Sequence, residues 1–127
     1  AYKRAVNIDP YFATAYNKIG ELDLYKNSDL QSATMNFLKA IQYNPDHIFA
    51  MHNMANIAII EKDFDMAEYY SKKIIAYDPN FSASYGTLAT VSLKRGKKKE
   101  AKAFLHMLIS LEPKNQQALS MLQGLNN

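Results

Sequence analysis

Apolar residues recur along the chain at spacings of three and four, which is the pattern of a helix that buries one stripe of its surface. These helical segments come in pairs, and every pair ends at a proline. The prolines lie 35, 34 and 34 residues apart, at Pro10, Pro45, Pro79 and Pro113. Proline disfavours helical geometry in the residue before it, so the second helices are predicted to end at Asp9, Asn44, Asp78 and Glu112. The pattern predicts a stack of helix pairs, each burying its apolar face against its neighbours.

The same residue types return at the same distance from each proline. The ninth residue after it is large, at Ile19, Met54, Leu88 and Leu122. The tenth is small in the first three units, at Gly20, Ala55 and Ala89. The twelfth residue before the later prolines is alanine, at Ala33, Ala67 and Ala101. Small side chains allow helix backbones to approach closely, so these positions are predicted to lie where paired helices touch.

Short polar segments join the two predicted helices of each unit, at residues 26–29, 62–63 and 95–97. Asp29 and Asp63 are placed to cap the helix that follows, because their carboxylates accept hydrogen bonds from its first free amides. The first of these turns carries the one extra residue of the 35-residue unit.

The spacing, and the order of large, small, aromatic, alanine and proline positions, resemble the tetratricopeptide repeat (TPR). This resemblance implies an all-α fold, an α-α superhelix or solenoid of antiparallel helix pairs, in a single domain over residues 1–127. Three full repeats span residues 11–45, 46–79 and 80–113. Residues 1–10 match the second helix of a truncated repeat, and residues 114–127 match a capping helix. The sequence departs from the family pattern at Ser71, where a bulky residue is usual, and at Ala55 and Ala89, where glycine is favoured.

The resemblance also implies a concave groove lined by the first helix of each pair, and it places particular residues there. The candidate peptide-binding residues are Asn17, Lys18, Glu21, Tyr25, Phe49, His52, Asn53, Asn56, Thr87, Thr90 and Lys94, together with Thr14, Ile60, Ala83 and Gly86. Asparagine amides both donate and accept, so a ladder of Asn17, Asn53 and Asn56 suits the main chain of an extended peptide. Phe49 and Tyr25 suit its apolar side chains. The alternative is that these are ordinary solvated positions on helices.

One TPR subclass clamps the C-terminal carboxylate of heat-shock chaperones with two asparagines and three cations. The matching residues here are Asn17, Glu21, Asn53, Ala83 and Thr87, and of these only Asn53 agrees with the subclass. Glu21 would repel a carboxylate, and the cations that make charge-assisted hydrogen bonds are absent. The sequence therefore disfavours a chaperone C-terminal carboxylate as the ligand.

Charge is concentrated in one segment of the chain. The net charge is +3, of which residues 94–102 carry +5. This basic patch consists of Lys94, Arg95, Lys97, Lys98, Lys99 and Lys102. A charge run at a turn is usually solvated surface, but six cations also attract phosphates electrostatically. Nucleic acid or an acidic protein is therefore an alternative partner, and the nucleic-acid option is disfavoured because the groove itself has few cations.

Candidate chemistry is sparse elsewhere. There is no cysteine, and the sequence contains no glycine-rich phosphate loop, zinc-ligand spacing or activated-serine motif. His47 and His52 are five residues apart, about 140° around a helix, which does not suit a shared metal. The longest apolar run near the middle of the chain, residues 57–60, is far below the roughly 20 residues of a membrane span. We expect no metal, no cofactor and no membrane span.

These observations favour a non-catalytic protein-interaction module or scaffold that binds a partner peptide or helix in its groove. The alternatives are a substrate-recruiting region of a larger enzyme, or electrostatic binding through the basic patch. Since Ala1 falls inside a repeat, we expect a fragment of a longer protein, with self-association through the truncated first helix as a further option. The sequence does not name the partner or the compartment. A cytoplasmic location is slightly favoured, although a signal upstream of Ala1 would not be visible.

Overall fold

Seven α-helices follow one another in the part of the chain that the computed structural model describes, residues 9–126. They are α1 Pro10–Glu21, α2 Leu30–Tyr43, α3 Ile48–Ile60, α4 Phe64–Tyr77, α5 Ser82–Lys94, α6 Lys98–Leu111 and α7 Gln116–Asn126. The helix predicted within residues 1–10 lies largely outside the described residues. The predicted self-association through this helix therefore also concerns residues outside the described part of the chain. Pro10 itself begins α1.

The helices pack in consecutive pairs. Contacts are most extensive between α1 and α2, between α3 and α4, and between α5 and α6, and each pair also packs against the next. The first helices of neighbouring pairs touch as well, α1 against α3 and α3 against α5. This confirms the all-α stack of antiparallel helix pairs and brings the first helices side by side on one face.

Helix ends follow the local sequence. Asn44, Asp78 and Glu112 cap the ends of α2, α4 and α6, each directly before a proline. The predicted N-terminal caps are also confirmed, because the side chain of Asp29 accepts a hydrogen bond from the Ser32 amide and that of Asp63 from the Met66 amide. The grouping of these helices into the repeats predicted above remains a prediction.

The extra residue of the first unit is absorbed within a helix rather than in a longer loop. Residues Leu22–Lys26 form a π-helical turn that continues α1. At its end the Asp29 amide donates to the Asp23 carbonyl, a separation of six residues, whereas the amides of Asp63 and Lys97 donate to carbonyls only five residues back. The widened turn leaves Asp29 in place to cap α2.

The buried core is divided among neighbouring helices instead of converging on one centre. One cluster, Leu24, Ala33, Phe37, Met54 and Ile57, joins the π-helical turn to α2 and α3. A second, Ala58, Ala67 and Val91, joins α3, α4 and α5. A third, Tyr85, Ala89, Leu105, Leu108 and Ala118, joins α5, α6 and α7. Stability therefore comes from contacts between adjacent units, as expected of a repeat protein.

The small tenth position of the first unit is tightly packed. A Cβ atom added to Gly20 would lie 2.6 Å from Cε1 of Phe37, a side chain with no exposed surface. The corresponding positions of the third unit are Ala89 and Leu105, which lie in one buried cluster. Glycine thus stands at this position in the unit whose second helix presents the ring of Phe37.

Candidate functional site

A cavity of about 670 Å³ opens where the first helices lie side by side. The π-helical turn, α3, α5, α6 and α7 contribute to it. Its lining residues are Leu24, Tyr25, His52, Asn56, Ile59, Ile60, Ser82, Ala83, Gly86, Thr87, Thr90, Leu108, Glu112, Asn115, Gln117, Ala118 and Met121. The structure therefore brings together eight of the candidate binding residues, namely Tyr25, His52, Asn56, Ile60, Ala83, Gly86, Thr87 and Thr90. This surface is called the groove below.

The helical repeat explains why α5 presents the residues it does. Ser84, Tyr85 and Leu88 are buried against neighbouring helices. Thr87 and Thr90 lie on the face that borders the groove, and each hydroxyl donates to the carbonyl four residues earlier, over 3.3 and 3.1 Å. Both hydroxyl donors are thus satisfied inside the helix, so this wall of the groove offers acceptors and methyl groups.

An aromatic edge lies on the α3 side. The ring of His52 meets that of Phe81 edge-on, with centroids 5.4 Å apart, and Phe49 meets Phe81 at 5.9 Å. Phe49 is 61% exposed. Burial lowers the pKa of His52, and the nearby Glu21 only partly offsets this, so His52 is neutral at pH 7. The edge is available to apolar side chains and adds no positive charge.

Two of the predicted ladder asparagines are already engaged with each other. Asn17 and Asn53 are buried, and the Asn53 amide nitrogen donates to Asn17 Oδ1 over 3.0 Å and to Glu21 Oε2 over 3.1 Å. Asn17 Nδ2 also donates to Glu21 Oε2, over 3.5 Å. The network joins α1 to α3 and holds a carboxylate between the two amides. Asn56 lies apart from it, 3.4 Å from His52 Nε2.

The remaining predicted groove residues lie towards the edges. Lys18, Glu21 and Tyr25 line a second, open cavity of about 460 Å³ on α1 and the π-helical turn. Tyr25 borders both cavities. Lys94 is exposed at the end of α5 and lines neither of them. How these residues contribute to binding stays a prediction.

Part of the groove, formed by α7 and the turn before it, was not predicted from the sequence. Glu112, Asn115, Gln117 and Met121 line the cavity, although α7 was predicted only as a closing helix. A signal was present: Gln117 and Met121 stand four and eight residues after Pro113, as Ala83 and Thr87 stand after Pro79. The helix that closes the stack is also a wall of the groove.

The Glu112 carboxylate is fixed by two neighbours. Ser82 Oγ donates to its Oε2 over 2.5 Å, and Asn115 Nδ2 donates to its Oε1 over 2.9 Å. These hydrogen bonds, that from Ser82 first, hold the pKa of Glu112 below its ordinary value. Glu112 is therefore an oriented, ionised carboxylate at neutral pH.

The basic patch is partly neutralised. Arg95 pairs with Asp65 and with Glu68, the latter over 2.7 Å, and Lys72 pairs with the same Glu68 over 2.8 Å. Lys97 Nζ lies 3.8 Å from Glu100. The cations left on the surface are Lys94, Lys98, Lys99 and, half-buried, Lys102. The patch lies at the end of α5, in the turn that follows and at the start of α6, and none of its residues lines the groove.

Residues 9–126 lack the features of a metal site and of a membrane span. No three histidine, aspartate or glutamate side chains of this region gather as ligands for a metal ion. None of its helices has both the length and the apolar character that crossing a bilayer requires.

Comparisons with solved structures identify similar folds. The chain is similar to the first TPR domain of Spaghetti (RPAP3) bound to the HSP90 peptide SRMEEVD, with a TM-score of 0.88, 21% identity and 95% of each chain covered. It is also similar to the second TPR domain of human RPAP3 in complex with the HSP70 peptide SGPTIEEVD, with a TM-score of 0.82, 21% identity and coverage of 94% and 99%. A Thermobaculum terrenum O-GlcNAc transferase matches with a TM-score of 0.80 and 18% identity, and the chain covers only 22% of that enzyme while 91% of the chain is matched.

Two comparisons of sequence gave different outcomes. No curated protein matches the chain. The tetratricopeptide repeat family model matches residues 58–125, more than half of the chain, and the helix pairs described above have the architecture of this family. The chain belongs to the tetratricopeptide repeat family.

Proposed function

We propose that the chain is a non-catalytic protein-interaction module that binds an extended peptide or a helix of a partner protein in the groove. The observation that supports this most directly is the cavity of about 670 Å³, walled by the three successive first helices α3, α5 and α7. Its volume falls in the range of ligand sites. Apolar side chains such as Ile60 and Met121 stand beside polar ones such as Asn56 and Gln117, which suits a segment that carries both kinds of group.

The peptide bound here is not an acidic chaperone tail. Two similar domains are bound to peptides that end in EEVD, but in this chain the Glu21 carboxylate already occupies the amides of Asn17 and Asn53. An incoming carboxylate would have to displace Glu21, which breaks its hydrogen bonds to these amides, or lie against it, where like charges repel. We expect the peptide SRMEEVD to cause no saturable change in the amide signals of groove residues. Replacing Glu21→Lys should produce measurable binding.

The groove assignment is tested by blocking the cavity. A library of random peptides displayed on phage is panned against the protein, and selected peptides are titrated into it by fluorescence anisotropy. Thr87→Tyr places a larger side chain in the cavity and should weaken binding at least about tenfold through steric exclusion. Ser110→Tyr is the matched control, because Ser110 is exposed on α6 and does not line the cavity.

The outcomes separate the groove from the basic patch. Binding that survives Thr87→Tyr but is lost when Lys97, Lys98 and Lys99 are all changed to glutamine would refute the groove and favour the patch. Circular dichroism of each variant shows whether the fold is retained.

A second candidate is recruitment of substrate within a larger enzyme. It is favoured by the O-GlcNAc transferase match, in which a fold like this one accounts for 22% of a longer chain. In that case Thr87→Tyr should reduce activity towards protein substrates of the parent protein, and leave activity towards a short model substrate unchanged.

A further inference from the structure

The groove has an electrostatic character that its fold does not dictate. Among the described residues that line it, Glu112 is the one with a full charge, because His52 is neutral at pH 7. No lysine or arginine lines the cavity. Glu21 adds a second carboxylate nearby, on the adjoining cavity that shares Tyr25. The cations of that second cavity, Lys18 and Lys26, stand on α1 and the π-helical turn, and neither lines the cavity that holds Glu112.

Glu112 has hydrogen-bond partners but no cationic partner among the described residues. Within residues 9–126, none of the salt bridges involves it. Each of its two oxygens accepts one hydrogen bond, from Ser82 or from Asn115. A carboxylate has about four acceptor sites, so one site on each oxygen remains available. That geometry matches the forked donors of a guanidinium or the single ammonium of a lysine.

The surroundings of Glu112 suit the rest of a basic side chain. Leu108 and Ala118 are buried, Met121 is half-buried, and all three line the same cavity. The methylene stems of lysine and arginine pack on apolar surface while their charged ends reach a polar group. A cation held by Glu112 would therefore place its stem along these three residues.

We propose that the groove selects a peptide segment that carries a lysine or arginine, whose charged end pairs with Glu112 while apolar neighbours of that residue occupy the cavity. This inference rests on the proposed function, since it names the chemistry of the partner of the same groove. The groove is then expected to prefer basic peptides, whereas a site for acidic peptide tails prefers peptides of the opposite charge.

The test uses a positional-scanning library of heptapeptides, acetylated at the N-terminus and amidated at the C-terminus so that no terminal charge contributes. At one position or more, wild-type protein should bind arginine peptides about tenfold more tightly than those with the neutral isostere citrulline, and glutamate peptides least. In Glu112→Gln the preference for arginine over citrulline should disappear. Glutamine keeps the size of the side chain and one acceptor, so the variant is expected to fold.

Glu100→Gln is the matched control, because Glu100 is an exposed carboxylate on α6 that does not line the cavity. It should retain the full preference. Binding that Thr87→Tyr blocks, but that shows no preference for cations or keeps it in Glu112→Gln, overturns the inference and leaves the groove as the binding site. Library binding that Thr87→Tyr does not affect, or no binding at all, overturns both proposals.

Discussion

Gly20 lies in α1 against the ring of Phe37, and replacing it by alanine tests how tightly the helices of the first unit are packed. The new Cβ would stand 2.6, 2.7 and 3.0 Å from Cε1, Cδ1 and Cζ of Phe37. The ring has no exposed surface and lies in a cluster with Leu24, Met54 and Ile57, so it cannot turn away without displacing other buried side chains.

The expected cost follows from two opposing terms. Overpacking a well-filled core destabilises by about 1–3 kcal/mol, while alanine in place of glycine inside a helix gains up to about 1 kcal/mol. Gly20→Ala should therefore lower the free energy of unfolding by about 1–2 kcal/mol. The third unit supplies a relieving change, because Leu105 stands there where the first unit has Phe37, opposite Ala89. Adding Phe37→Leu to Gly20→Ala should remove the clash.

Urea unfolding followed by circular dichroism would measure the wild type, the two single variants and the double variant. The double variant should be more stable than the sum of the single effects predicts, by about 1–3 kcal/mol, because Phe37→Leu relieves the overpacking term alone. Gly124→Ala is the control, since a Cβ there meets no atom within 4 Å, and it should be neutral or stabilising. Additive effects, or a Gly20→Ala variant as stable as wild type, would refute the packing argument.

Three further changes have defined outcomes. Lys62 has a φ of 60° at the turn position where the third unit has Gly96 at 73°, so Lys62→Gly should raise the free energy of unfolding by about 1 kcal/mol in the same urea assay. The buried hydroxyl of Ser84 has no hydrogen-bond partner among the described residues; Ser84→Ala should stabilise by about 1 kcal/mol, seen as a higher Tm. Hydrogen bonds from Arg95 and then Lys72 lower the pKa of Glu68 from 4.5 to about 2. These pairs thus add stability above about pH 4.5, and this stability is lost as the pH falls towards 2. In Arg95→Ala, NMR titration should find the pKa of Glu68 closer to 4.5, and an unchanged value would contradict the role given to Arg95.

Much of the fold could be predicted because it depends on local rules. Pro45, Pro79 and Pro113 determine where three helices end, and Asp29 and Asp63 determine where two begin. The apolar spacing reveals which face of each helix is buried. The same period indicates which face of a first helix borders the groove, and eight of the candidate residues line the cavity for that reason.

What the sequence could not supply depends on side chains that meet across distant parts of the chain. Asn17 and Asn53 are 36 residues apart, and no periodicity shows that they bond to each other and to Glu21 rather than face solvent. Ser82 and Glu112 are 30 residues apart, so the sequence also does not show that Ser82 holds the Glu112 carboxylate in place beside the groove. The fit of Gly20 to Phe37 likewise requires knowledge of the distance between two backbones.

The π-helical turn at residues 22–26 shows how an inserted residue is tolerated in this architecture. By widening one turn, the chain contains the change within a single unit, and Asp29 still begins the next helix in register. One extra residue at this junction therefore leaves the capping and packing of α2 intact. The same turn carries Leu24 and Tyr25, which line the groove, so the extra residue changes the groove wall locally while the helices after it keep their places.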